Sequence, residues 1–254
     1  MRGRFVVLAS LVIALVLAVP GTAHAGRTFY GWLFGTEVMP ERGAELQTWI
    51  AEENSQPVVG MPASIHSYET DWWVGPLIGI TDQLELALPV EIAWTEIDEG
   101  EPRTTFDNYG AELRYRFVTQ DPVDAPPLVP LIRVAVKRLV TERDTIQPEA
   151  DLVTSYQTGR FHGLVDIGAI ADINSTTNHF EIHPGAGVSI EAIGDLRFGA
   201  EVYSELSLDD TAKSWAIVGP NMAWSHGRFW MSAAYGIGIY QIRDAPRVQW
   251  GIAF

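Results

Sequence analysis

Three histidines in the second half of the chain lie near hydroxyls and acids: His162, His179 and His183, with Ser155, Ser175, Asp166 and Glu181. Such a mixture is the material of hydrolytic catalysis, where a base activates a hydroxyl or a water and a third group orients the base. No segment combines nucleophile, base and orienter at a recognisable spacing. Glu181-x-His183 puts two ligating side chains on one face of an extended strand, but a third metal ligand is not identifiable. Gly163–Gly168 and Gly185–Gly187 lack the helix that a phosphate-cradling loop leads into. The sequence therefore predicts no catalytic centre, metal or cofactor. A membrane-embedded lipid hydrolase resting on His162 or His183 stands as a third-ranked alternative.

A larger set of ionisable residues recurs at alternate positions, which is the period of a β-strand. The acidic members are Glu45, Glu69, Asp71, Glu85, Glu91, Glu112, Asp151, Asp166, Asp172, Glu181, Glu191, Glu201 and Glu205. The basic members are Arg114, Arg116, Arg133, Lys137 and Arg197. Between them stand large apolar residues, most regularly in Leu84-Leu86-Leu88-Val90-Ile92-Trp94 and in Val248-Trp250-Ile252-Phe254. A helix is excluded, because the period is two and Gly or Pro interrupts most apolar segments.

The strands must position these charges. Segments of about ten residues are expected at Glu45–Ala51, Tyr68–Ile80, Leu84–Trp94 and Tyr109–Phe117, then at Leu128–Val136, Leu152–Tyr156 and Phe161–Ile173. They continue through Phe180–Ile190, Leu196–Leu208, Ser214–Trp224 and Phe229–Tyr240 to Val248–Phe254. Short connections (Thr81–Gln83, Gly159–Arg160, Gly194–Asp195) alternate with longer ones such as Asn54–Ser64 and Thr95–Thr104. Gln120–Pro127 is long for its place in that rhythm. Aromatics mark segment ends at Tyr68, Trp94, Phe117, Tyr156, Phe180, Trp224, Phe229, Trp250 and Phe254, as in the girdles of a membrane barrel. The expected class is all-β: a transmembrane antiparallel up-and-down barrel of about twelve strands, or ten to fourteen allowing one hairpin of error. A soluble β-sandwich also alternates, but gives no reason for aromatic rings or an apolar stripe ending on Phe254.

The amino terminus is expected to be an export signal over residues 1–25, with Arg2 and Arg4 before the apolar run Phe5–Val19 and Ala23-His24-Ala25 as the cleavage site. Its removal takes the formal charge from -15 to -17, which disfavours nucleic acid. Residues 26–44 are too irregular for a strand and are expected as a periplasmic lead-in or a lumen plug; residues 45–254 form the barrel. Bacterial outer membrane is the expected location, with its lipid as partner. The terminal strand ending in Phe254 is the expected signal to the barrel-assembly machinery.

Two stretches, Thr36-Glu-Val-Met-Pro-Glu-Arg-Gly-Ala-Glu-Leu46 and Gly79-Ile-Thr-Asp-Gln-Leu-Glu-Leu-Ala-Leu88, resemble the channel-like family of phenol-degradation-pathway outer-membrane proteins. That resemblance implies passage of small molecules and supplies neither a substrate nor binding residues.

In such a barrel the charged faces line the lumen. Arg114, Arg116, Arg133 and Lys137 are expected as a basic wall, facing an acidic wall of Glu85, Glu91, Glu112, Glu201 and Glu205. If water separates the walls, the barrel is a narrow channel for small polar or amphiphilic solutes, preferring cations. If the walls meet in salt bridges, it is a closed structural or surface-binding barrel acting through its outer loops. A tube of this size lies between filled and open barrels, so strand number leaves both readings standing. The small inward residues Gly185, Gly187, Gly236 and Gly238 suit an open lumen or a bend in the wall.

Overall fold

The computed structural model describes residues 28–254 except 59, 63, 99, 121–125, 143 and 177. The expected export signal lies outside the described residues. Thirteen hydrogen-bonded stretches follow in chain order: β1 Ala44–Pro57, β2 His66–Thr81, β3 Leu84–Ala87, β4 Val90–Ile97, β5 Arg103–Arg116, β6 Leu128–Leu139 and β7 Ile146–Thr158. The remainder are β8 Phe161–Ile173, β9 Asn178–Ile193, β10 Leu196–Ser207, β11 Trp215–His226, β12 Phe229–Tyr240 and β13 Asp244–Ala253. β3 and β4 are two halves of one strand, separated at Leu88–Pro89, where proline has no N–H for the ladder. Both halves pair with β2 and β5, so the barrel has twelve staves.

Every neighbouring pair is antiparallel, and β1 pairs with both β2 and β13, which closes the sheet. The seam runs to the end of the chain: the Phe254 N–H donates to the Ala44 carbonyl at 2.8 Å. Closure leaves no unpaired edge, the condition for β-structure in hydrocarbon. Three of the tight turns, at Gly159, Gly194 and Gly227, begin on a glycine with φ of 54, 55 and 58°. That is the position a two-residue type II′ hairpin reserves for glycine. These turns and both barrel termini lie at one end, here the short-turn end; the longer loops lie at the other.

The alternation sorts as a membrane barrel requires. Along β3 and β4, Glu85 and Ala87 are fully buried while Leu88, Val90 and Trp94 are 51, 38 and 55% exposed. Phe117, Tyr156, Trp224 and Phe254 are exposed at the short-turn end, and Trp94 and Phe180 at the loop end. An exterior so continuously apolar exceeds anything a soluble monomer presents to water. It is a lipid face.

Several strands extend beyond the sequence reading (β5 begins at Arg103 rather than Tyr109, β13 at Asp244 rather than Val248), two of them for a clear physical reason. β1 continues past Ala51 through Glu52, Asn54 and Gln56, and β7 begins at Ile146 rather than Leu152. There the outward residues are polar, or Pro148 interrupts the pattern, so alternation no longer marks the strand although the ladder continues.

Candidate functional site

Residues 28–39 lie inside the barrel, and residues 40–43 emerge at its short-turn end. The segment enters at the short-turn end, rises to Trp32, doubles back and runs into β1. Wall side chains hold the backbone of this plug. Glu201 accepts the N–H groups of Gly31 and Trp32 at 2.8 and 3.2 Å, Asp166 accepts that of Phe34 at 3.0 Å, and Glu85 accepts that of Met39 at 2.6 Å. Gln249 and Ser232 donate to the Tyr30 carbonyl at 2.7 and 2.8 Å. Arg114 donates to the Gly35 carbonyl, and Arg116 pairs with Glu37 at 2.6 Å. An irregular chain has backbone groups that no ladder satisfies. The lumen's polar side chains satisfy them.

Apolar contacts complete the seat. Tyr30, Leu33 and Val38 pack with the inward residues Leu131, Val153 and Leu164, and Trp32 packs with Trp215, Ile217 and Ala245. The guanidinium groups of Arg197, Arg133 and Arg247 lie over the rings of Phe29, Phe34 and Trp32 at 4.2, 4.2 and 5.1 Å. Gly185 and Gly187 do not widen a water path: a Cβ on either would strike Leu33 or Tyr30. Gly187→Val is therefore expected to lower stability by about 1–3 kcal/mol through overpacking. It would be read as loss of the compact, unheated gel band at a lower temperature. Tyr30→Ala in the same chain should recover part of the loss; no recovery would show that the clash lies elsewhere.

The two-wall arrangement of charges is not what forms. Arg114 and Arg116 lie on β5 and Arg133 and Lys137 on β6; Glu85 and Glu91 lie on the adjacent β3 and β4, and Glu112 on β5 itself. Arg133 contacts Glu112, Glu149 and Asp151 at 2.8, 2.7 and 2.6 Å. Lys137 reaches Glu149 at 2.6 Å and Glu91 at 3.9 Å, and Arg114 reaches Glu85 at 3.2 Å. The reason is spacing. Same-face residues on neighbouring strands sit about 5 Å apart, so opposite charges there become partners. Among the named acids only Glu201 and Glu205, on β10, face this wall from across the lumen, and Glu201 is committed to the plug. Arg247 and Glu149 also line the lumen and were not expected there, although Glu149 lies two residues from the inward Asp151 and Arg247 alternates with the outward Val248 and Trp250.

The histidines are separately engaged. His162 meets the Tyr30 hydroxyl at 2.9 Å, His183 meets Asp151 at 3.5 Å, and His179 contacts Glu181 and Asp209 at 2.8 and 3.0 Å. Glu181 thus partners His179 rather than His183. The Ser155 hydroxyl bonds to that of Thr36 at 2.6 Å. Among the described residues no group of three or more His, Asp and Glu is arranged to hold a metal.

The two stretches that carried the family resemblance meet in space. Arg42 N–H donates to the Gly79 carbonyl at 3.2 Å, and Gly79 N–H to that of Gly43 at 2.9 Å. Glu41 N–H donates to Asp82 at 3.0 Å. A Cβ on Gly79 would collide with the Pro40 carbonyl, so glycine is what lets the plug's exit cross β2.

No family model and no curated relative matches this chain. Solved structures do. An outer-membrane channel from Pseudomonas putida F1 aligns with a TM-score of 0.58 and 9% identity over 86% of this chain and 98% of that one. The translocator domain of the autotransporter NalP from Neisseria meningitidis aligns at 0.54 and 12% over 84% and 88%. The NanC porin aligns at 0.54 and 9% over 82% and 98%. At such identities the likeness is one of fold, and that fold is the closed antiparallel β-barrel of the outer-membrane kind.

Proposed function

We propose that the protein is a bacterial outer-membrane channel for passive diffusion of small polar or amphiphilic solutes, closed at its short-turn end by its own residues 28–39. One observation carries the reading. From the loop end a vestibule of about 240 Å³, lined by charged and aromatic side chains, descends to Trp32 and Phe34. A barrel with only a structural task has no use for a charged chamber that ends on a separable plug. The short turns would face the periplasm and the loops the exterior, with the strand ending in Phe254 addressed to the assembly machinery. Kinship with the phenol-degradation-pathway channels belongs to this proposal, supported by the packing of Thr36–Leu46 against Gly79–Leu88.

A second reading has an observation in its favour. The cluster of Arg133, Glu112, Glu149 and Asp151 fills one side of the lumen, as in a closed structural barrel. Planar-bilayer conductance separates the two. The intact chain should show little current, and a chain lacking residues 28–40 should show steady cation-selective steps about fivefold or more larger. A plugless barrel that keeps its heat-modifiable migration yet carries no current would establish the closed barrel instead.

A further inference from the structure

The vestibule above the plug holds carboxyl groups that no basic side chain of the barrel pairs with. Glu53 and Glu69 are directly opposite on β1 and β2, and Asp71 follows Glu69 on the same inward face. Like charges placed directly across a ladder destabilise it. Among the described residues no Lys, Arg or His nitrogen lies within 4 Å of Glu53, Asp71 or Glu205, whereas Arg133 and Lys137 are engaged by Glu91, Glu112, Glu149 and Asp151. The lower acids of the vestibule are paired and the upper ones are not.

Two further observations say what would complete it. Asn108, 3% exposed, lines the chamber with an Oδ1 that has no donor. Its Nδ2 is committed to Glu91 and Asp107 at 2.8 and 2.9 Å. Those carboxylates accept only, so they fix which way the amide points and leave a buried acceptor without a donor in the chamber's wall. The aromatic lining already holds a cation: the Arg247 guanidinium lies 4.2 Å over Trp49, whose ring runs parallel to that of Trp73 at 6.2 Å. The chamber thus offers carboxylates and aromatic surface, with an unsatisfied acceptor in its wall, in a volume equivalent to about eight waters. That combination matches N–H donors on a positive head joined to an apolar body.

We propose that the vestibule binds small organic cations, primary amines or guanidines bearing an apolar or aromatic group. The head would sit among Glu53, Asp71 and Glu205, and the body against Trp49 and Trp73. The proposal deepens the channel reading, in that the loop end is where solute arrives, but binding is testable without flux.

The test titrates the detergent-solubilised barrel with 2-phenylethylamine while following tryptophan fluorescence. Uncharged 2-phenylethanol and anionic 3-phenylpropionate serve as matched probes. A saturable response to the amine alone is expected, weakened about tenfold or more in Glu53→Gln/Asp71→Asn. Glu205→Gln, on the opposite wall, should weaken it too, and stands in if the double variant loses its heat-modifiable band. An equal response to the alcohol, or an amine response unchanged in the folded variants, overturns the site. A barrel that binds the amine but stays non-conducting without residues 28–40 overturns the channel and leaves the site. A conducting barrel that does not bind the amine does the reverse.

Discussion

Replacing Arg133 with methionine is expected to cost the barrel about 3–5 kcal/mol, the penalty for removing one partner from a buried ionic cluster. Arg133 and its three carboxylates are almost wholly buried, with side-chain exposures of 3% for Arg133, 6% for Glu112, 3% for Glu149 and none for Asp151. The guanidinium suits this position because its planar fork serves several carboxylates at once. Its cross-strand neighbour is Arg114, a like-charge pairing made tolerable because Arg114 turns to Glu85 and the plug. Without Arg133, Lys137 alone remains near Glu149, and Glu112 and Asp151 lose their cation. Folded fraction in urea, followed by the heat-modifiable band, should fall sharply for Arg133→Met and less for Arg133→Lys. Neutralising the abandoned acids with Glu149→Gln and Asp151→Asn should restore part of the loss. If Arg133→Met matches the intact chain, water is carrying those charges and the cluster contributes nothing.

The same cluster shows what a sequence conveys and what it withholds. Alternation separates the two faces of each strand, because lipid accepts only one kind of side chain. β8 and β12 therefore end where the pattern ends, at Phe161–Ile173 and Phe229–Tyr240. Alternation also sets Arg114, Arg133, Glu85 and Glu112 opposite the apolar stripe, and all four are buried. Which charges then touch depends on register and on what else occupies the lumen, and neither is written in a period of two. Glu85, Glu91 and Glu112 became partners of the basic residues, not their opposing wall, because adjacent strands lie within reach and the far wall does not. A lumen plug was one of two expectations for residues 26–44, but the path it takes was beyond reading for a different reason. Its fold has no period, since its backbone is satisfied by side chains distant in sequence, such as Glu201 for Gly31 and Gln249 for Tyr30. A surplus of aromatics over Phe29–Phe34 was the only local sign that it is buried.

Those distant partners make the plug's apex separable from its stem. Glu201→Ala combined with Asp166→Ala is expected to free residues 31–34 while the barrel stays folded. The pair removes the acceptors for the Gly31, Trp32 and Phe34 N–H groups, and a hydrogen bond of this kind contributes about 0.5–1.5 kcal/mol net. The stem keeps Arg116–Glu37 and Met39–Glu85, so the plug should loosen at its tip rather than leave. The chain has no cysteine, which gives a clean reporter: Leu33→Cys places a thiol at a position 1% exposed. In the otherwise intact chain that thiol should resist a polar maleimide. With both acids replaced, labelling should quicken by about 10²-fold, the factor that roughly 3 kcal/mol of lost restraint allows. Bilayer current should rise in the same variant. Unchanged labelling in a folded barrel would mean that the apolar seat of Tyr30, Leu33 and Trp32 holds the apex unaided. Fast labelling without current would mean that the obstruction lies in the stem, between Thr36 and Glu41, where the plug's exit crosses Gly79.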